Sequence, residues 1–138
     1  APFPLGVDGT TAWLKAAADA FGVDAKRFEA VTQAGRERAA KSLEAHRLAL
    51  SGKSVFFFPD SQLEVPLARF LSRELGMELS EVGTPYLHRR HLADELAMLP
   101  DQVSIVEGQD VVDKIANVQT GANDKPVSPV IMKTVTVQ

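Results

Sequence analysis

Apolar residues recur at the spacing of helix faces through the first part of the chain. One predicted helix runs from Thr10 to Phe21, where Gly22 ends it. A second runs from an N-cap at Asp24 to Leu50, and we expect it to pack through Phe28, Val31 and Leu43. Trp13 lies on the apolar face of the first helix. We therefore expect it in the core rather than against a ligand.

The stretch "SVFFFP", residues 54–59, replaces this periodicity with a continuous apolar run. Such a run predicts a short strand that is buried on both faces. A helix follows, because Ser61 and Glu64 have the spacing of a capping box and Gly76 stands after the last apolar position. "MELSEVG", residues 77–83, predicts a second strand. Residues 54–83 thus have the size of a crossover between two parallel strands.

The alternation of strand and helix then continues. "HRRHLADELAML" predicts a helix, and its inward positions are Leu92, Leu96 and Leu99. "VSIVEG" predicts a third strand near residues 103–107, and "DVVDKIANV" a short helix capped by Asp110. This order predicts an α/β fold with an open, mainly parallel, Rossmann-like sheet and preceding helices. We expect that domain to occupy residues 1–119.

Residues 120–138 differ in character from the domain that precedes them. Glycine, asparagine, aspartate and two prolines predict a linker, and the β-branched residues of Val130 to Val137 predict an edge strand or a tail.

Composition narrows the possible functions. The formal net charge of -3 gives no sign of nucleic-acid binding, which needs a cationic surface. No apolar run approaches the roughly 20 residues that span a bilayer. The chain contains no cysteine, which excludes thiolate nucleophiles and metal centres ligated by its own cysteines.

Ligands of open α/β sheets bind beyond the carboxyl ends of the strands, where this chain has three polar loops. The first carries Asp60, Ser61 and Gln62. Capping of the next helix explains these residues more simply than nucleotide binding. The reason is that Asp60 would repel a phosphate and no glycine-rich phosphate motif is present.

The second loop contains a cluster of aromatic and cationic residues: Tyr86, His88, Arg89, Arg90 and His91. Such a cluster suits an acidic group or a proton relay. Two histidines three positions apart can share a metal, but no third ligand stands at a recognised spacing, so we predict no metal site. In the third loop, Glu107 and Asp110 suit acid–base chemistry, and equally a turn followed by an N-cap. We assign no catalytic residue.

Adjacent parallel strands place their following loops at the same edge of a sheet. We therefore expect five polar residues to lie together there, facing a cleft that another domain or subunit closes: Asp60, Ser61, Gln62, Tyr86 and His88.

Long motifs between Gly52 and Val111 carry a family resemblance: "FFFPDSQLE", "EVGTPYLH" and "EGQDV". This region closely resembles the N subunits of light-independent (dark-operative) protochlorophyllide reductases, within the nitrogenase component 1 superfamily. The resemblance covers about residues 2–115. The tail "TGANDKPVSPVIMKTVTVQ" has no evident counterpart in that family.

The resemblance implies a cytoplasmic component of an enzyme that reduces protochlorophyllide to chlorophyllide with ATP and ferredoxin. It implies a B subunit, with which the N subunit forms a heterotetramer, and an iron–sulfur ATPase, the L protein. It also implies 4Fe–4S clusters and ATP–Mg in the full enzyme, with no cofactor held by this chain alone. The chain would then be an internal piece of the subunit. The alternative is a non-catalytic domain derived from that family, which binds a protein or a small ligand.

Overall fold

The computed structural model describes residues 1–108, 117 and 119. Its elements are α1 (Gly6–Ala20), α2 (Ala25–Leu50), β1 (Ser54–Phe57), α3 (Glu64–Arg73), β2 (Glu78–Thr84), α4 (Ala93–Leu96) and β3 (Ile105–Glu107). The predicted helix after Asp110 and the predicted edge strand or tail at Val130 to Val137 lie outside the described residues, and the division after residue 119 stays a prediction. None of the described helices is both long and apolar enough to cross a membrane.

The three strands form one open sheet in the order β1-β2-β3. Both neighbouring pairs are parallel, with Phe57 opposite Val82 and Val82 opposite Ile105. Parallel strands need crossover connections, and α3 supplies the one between β1 and β2. The predicted open parallel α/β fold is therefore confirmed.

The core lies between α3, the central strand and the segment that contains α4. Its buried residues are Val65, Ala68, Val82, Leu87 and Leu99. Leu92 and Leu96 pack against this cluster, so the predicted inward face of the fourth helix is confirmed. No residue of α1 or α2 belongs to the cluster.

The fourth helix is much shorter than predicted. The predicted helix spans residues 88–99, but α4 is only Ala93–Leu96. The carbonyl of His88 accepts the N–H of both His91 (2.9 Å) and Leu92 (3.0 Å). This bifurcated contact closes a turn before the helix begins, and periodicity alone does not distinguish such a turn from helix.

The prediction that β1 is buried on both faces is wrong. Phe57 packs against the core, but Phe56 is 55% exposed and Phe58 is 74% exposed. Successive side chains of a strand point to opposite faces, and here the described residues cover only the face that carries Phe57. The continuous apolar run therefore forms a strand with one face packed against the core and one face open to solvent.

Two expectations for the helical region are also wrong. Trp13 is 47% exposed and Val31 is 63% exposed, so neither is a core residue. Phe28 is buried at 7% exposure, as predicted, and Leu43 is half-buried. Asp24 caps α2 as predicted, because its side chain accepts the N–H of Arg27 at 2.9 Å. The apolar stripes of α1 and α2 are therefore covered only in part.

A buried ionic cluster joins α1 to the α/β unit. Arg69 of α3 has no exposed surface and donates through Nε to Glu95 Oε2 at 2.5 Å. It also donates through Nη2 to the carbonyls of Phe3 (3.2 Å) and Leu5 (3.0 Å). A Cβ on Gly9 would lie 2.3 Å from Arg69 Nη2, so a side chain there would displace the guanidinium. This cluster was not predicted, because its charged residues occupy ordinary helix positions.

The amino-terminal end of α1 is capped from another helix. Glu74, which follows α3, accepts the N–H groups of Val7 (2.6 Å) and Asp8 (3.2 Å). Free N–H groups at a helix start need an acceptor, and a carboxylate is a strong one. The start of α1 is thereby fixed to the end of α3.

Candidate functional site

The loop after β1 is folded around the carboxylate of Glu64. This side chain is buried at 4% exposure and accepts the backbone N–H groups of Asp60 (2.9 Å) and Ser61 through Oε1. The hydroxyl of Thr84 lies 3.4 Å from Oε2. Glu64 was predicted only as a capping residue, yet it holds together the ends of β1 and β2.

The predicted capping box is formed only in half. Glu64 reaches back to the N–H of Ser61, as that motif requires, but the Ser61 hydroxyl accepts from Leu63 (3.1 Å) instead of from Glu64. The helix begins at Glu64 with Leu63 as its N-cap, later than predicted. Asp60, Ser61 and Gln62 are consequently exposed loop residues.

The charge state of Glu64 follows from its donors. Burial acts to raise the pKa of this carboxyl, but hydrogen bonds from the N–H groups of Ser61, Asp60 and Glu64 itself and from the Ser61 side chain together outweigh that effect and hold its pKa below the usual value. Glu64 is therefore an ionised anchor at neutral pH.

The three strand-end loops meet at one edge of the sheet. A Cβ on Gly83 would lie 2.7 Å from Pro59 Cδ, and one on Gly108 would lie 3.6 Å from Pro59 Cβ. The N–H of Leu87 donates to Glu107 Oε1 at 3.0 Å. The Glu107 carboxylate, at the end of β3, thus accepts a hydrogen bond from the loop after β2. Asp110, its predicted acid–base companion, lies outside the described residues.

Aromatic side chains form a cluster in the loop after β2. The rings of His88 and His91 are stacked, with centroids 3.7 Å apart and planes inclined by 9°. Tyr86 meets His88 edge-on at 6.1 Å between centroids and is 52% exposed. We call Tyr86, His88 and His91 the aromatic cluster.

Thr84 links this cluster to the first loop. Its hydroxyl lies 3.4 Å from the Glu64 carboxylate and 3.4 Å from the Tyr86 carbonyl. Asp60 and Ser61 are held by Glu64 on one side of this link, and Tyr86 with His88 lie on the other.

Gln62, which follows Asp60 and Ser61 in the first loop, also contributes to a second surface. It borders a depression of about 580 Å³ together with His91. The remaining lining residues come mainly from the amino-terminal segment, α1 and the start of α3, and include Phe3, Trp13, Leu63, Pro66 and Glu95. This surface was missed by sequence reasoning, which assigned Trp13 to the core.

The side chains present do not fit an iron–sulfur cluster. The chain has no cysteine, and thiolates are the ordinary ligands of such clusters. Within residues 1–108, 117 and 119, no group of three or more histidine, aspartate or glutamate side chains has an arrangement that holds a metal ion.

Comparison with known proteins shows the family of the chain. The family model for nitrogenase component 1 type oxidoreductases matches residues 1–124. The chain belongs to this family. The parallel sheet with converging strand-end loops is therefore a nitrogenase component 1 type segment.

Several relatives of the same family are named light-independent protochlorophyllide reductase subunit N. The protein of Rhodopseudomonas palustris (strain TIE-1) is 65% identical over 115 residues, which are 83% of this chain and 27% of the relative. That of Rhodospirillum rubrum is 68% identical over 111 residues, or 80% of this chain and 25% of the relative. That of Bradyrhizobium sp. (strain BTAi1) is 62% identical over 111 residues. The chain spans about a quarter of the length of these relatives.

Proposed function

We propose that this chain forms part of the N subunit of a light-independent protochlorophyllide reductase, in the synthesis of chlorophyll or bacteriochlorophyll. The observation that carries the proposal is the 65% identity to a protein of that name over 115 residues, 83% of the chain. Belonging to the nitrogenase component 1 type oxidoreductases supports the same reaction class.

The chain's role in this proposal is to shape and position, while the redox chemistry is supplied elsewhere. Because it has no cysteine, it leaves the ligation of iron–sulfur clusters to other residues of the enzyme. The proposed partners are the B subunit, which completes a heterotetramer in the cytoplasm, and the iron–sulfur ATPase L protein, which delivers electrons at the expense of ATP–Mg.

Within that enzyme, we propose that the strand-end loops form one wall of the substrate cleft. The wall comprises Asp60, Ser61, Gln62, Tyr86 and His88. Support comes from the position of Thr84 between the two loops and from the half-exposed ring of Tyr86. Exposed aromatic rings at a rigid sheet edge suit a planar, conjugated substrate.

A segment exchange tests the subunit assignment. The matching 115-residue segment of the Rhodopseudomonas palustris subunit N is replaced by that of this chain. We expect the hybrid subunit to copurify with its B subunit and to convert protochlorophyllide to chlorophyllide with the L protein and ATP, followed by absorbance. A hybrid that fails to assemble, or that assembles without turnover, would overturn the proposal.

The cleft assignment is tested within the same hybrid by His88→Ala, with His46→Ala on exposed α2 as the matched control. We expect His88→Ala to raise KM for protochlorophyllide or lower kcat, while the melting temperature stays within about 2 °C, as for other surface changes. His46→Ala leaves both kinetic constants unchanged. Equal kinetics of the two variants would remove His88 from the cleft.

A further inference from the structure

A continuous groove runs between α1 and α2. It consists of two adjoining depressions of about 480 Å³ and about 310 Å³, which share Leu14, Val31 and Thr32. The residues along it are mostly small or apolar, and they include Ala17, Ala18, Phe21, Val23, Ala34, Gly35 and Ala39. We call these two depressions the hairpin groove.

Three large apolar side chains of the hairpin groove are open to solvent. Val31 is 63% exposed, Phe21 is 86% exposed and Leu14 is 38% exposed. Phe28 is the buried large apolar residue of the two helices, and Ala17 and Ala18 are half-buried, so Leu14, Phe21 and Val31 are the part of the stripe that the described residues leave uncovered. Contiguous exposed apolar surface with a polar rim is typical of sites that bind another molecule.

The charged residues that line the two depressions are all arginines. No carboxylate lines either depression, whereas Arg27 lies at one end and Arg36 and Arg38 lie at the other. Arg36 is paired with Glu29, but Arg27 and Arg38 form no ion pair in the part of the chain that the structure describes. Arg38 Nη2 lies 3.9 Å from the position of a Cβ on Gly35, so its guanidinium stands beside the groove floor.

We propose that the hairpin groove binds an acidic amphipathic helix of a partner protein. An apolar stripe at helical spacing fits the small residues of the floor, as in other helix-in-groove complexes. Arg27 and Arg38 are three turns apart on α2, about 16 Å at 1.5 Å per residue. Carboxylates about three turns apart on the docked helix meet both guanidinium groups. This inference does not depend on the proposed reductase function, and its test needs no pigment.

The probe is a fluorescein-labelled synthetic helix of about five turns, with leucines at i, i+3, i+4 and i+7 and glutamates on both flanks. Fluorescence anisotropy measures its binding to the full 138-residue chain. We expect saturable binding with a Kd on the order of micromolar. A peptide with the same leucines and lysine flanks should bind about tenfold more weakly, because it repels Arg27 and Arg38.

Two substitutions on α2 separate the groove from general surface effects. Val31→Glu places a carboxylate on the groove floor, whereas Leu48→Glu changes an 86% exposed residue that lines neither depression. We expect Val31→Glu to raise Kd at least about tenfold and Leu48→Glu to leave it unchanged. Circular dichroism verifies that both variants retain their helices.

Three results would overturn the proposal. The first is no saturable binding up to about 100 µM, about a hundredfold above the expected micromolar Kd. The others are equal binding of the lysine-flanked peptide and equal effects of Val31→Glu and Leu48→Glu. Sedimentation velocity distinguishes another occupant. A dimer of this chain that Val31→Glu dissociates would show that a second copy, instead of an acidic helix, fills the groove.

Discussion

Polar contacts from three parts of the described chain converge on Arg69. Its guanidinium meets Glu95, lies 3.6 Å from Glu74 Oε1, and donates to two backbone carbonyls of the amino-terminal segment. Glu95 in turn accepts the N–H of Phe3 at 2.6 Å. A buried charge is tolerated only when it is paired and hydrogen-bonded, so these contacts depend on one another.

Removing one member of this cluster should therefore cost far more than removing the pair. We expect Arg69→Met to lower the free energy of unfolding by about 3–5 kcal/mol, because it leaves the Glu95 carboxylate buried without its cation. The double variant Arg69→Met, Glu95→Met should recover a large part of that loss. Urea denaturation measures both.

Additive effects of the two single substitutions on the free energy of unfolding would contradict this prediction. If the double variant is destabilised by the sum of the two single effects, Arg69 and Glu95 are not coupled across the cluster.

At the scale of elements, β1 shows how one apolar run serves two environments. Phe57 packs against the core cluster, and Phe56 next to it is 55% exposed. Both residues lie in the same edge strand and pair with β2. They provide a matched comparison in which strand propensity is equal and only burial differs.

We expect Phe57→Ala to destabilise the chain by about 2–4 kcal/mol, since it removes packed apolar volume. Phe56→Ala should cost less than about 1 kcal/mol, because most of that ring already contacts water. Thermal or urea unfolding, followed by circular dichroism, measures the difference. Equal losses would mean that the outer face of β1 is also packed in solution.

At the scale of the whole molecule, α1 and α2 stand outside the core cluster, and charged side chains join α1 to the end of α3. Glu74 is a central contact, since it caps α1 from the end of α3. Burial raises the pKa of Glu74; the N–H groups of Val7 and Asp8 oppose this without cancelling it, and the charge of Asp8 adds to it. The folded chain therefore holds a proton on Glu74 more tightly than the unfolded chain does.

The raised pKa of Glu74 predicts the direction in which the stability of the chain changes with pH. A raised folded-state pKa contributes stability that is fully present below the unfolded value near 4.5 and is lost as the pH rises through the folded pKa. We expect Glu74→Gln to remove this loss, so that its unfolding free energy falls less than that of the parent chain above pH 4.5. Urea titrations across that range measure the two curves.

Glu64 supplies the opposite control. Its pKa is lowered, so its contribution is present above the unfolded value near 4.5 and is lost as the pH falls through the folded pKa. Glu64→Gln should therefore change the acid side of the curve instead. Identical pH profiles for Glu74→Gln and the parent chain would contradict the role given to Glu74.

Periodicity, turn residues and caps predicted α2, the three strands, their parallel pairing and the inward face of Leu92, Leu96 and Leu99. These features depend on local pattern and chain connectivity, which the sequence contains directly. The motifs "FFFPDSQLE" and "EVGTPYLH" likewise led to the right family. The expectation that the five loop residues face a substrate cleft stays a prediction.

Only the tertiary structure decided which apolar residues are covered and which charges are buried. The sequence makes Trp13 and Val31 look like core residues, but each helix face is covered only where another element reaches it. Arg69, Glu74 and Glu95 look like ordinary exposed helix residues. They become buried because the amino-terminal segment folds back over them from more than 60 residues away, a contact between distant positions that no local pattern encodes.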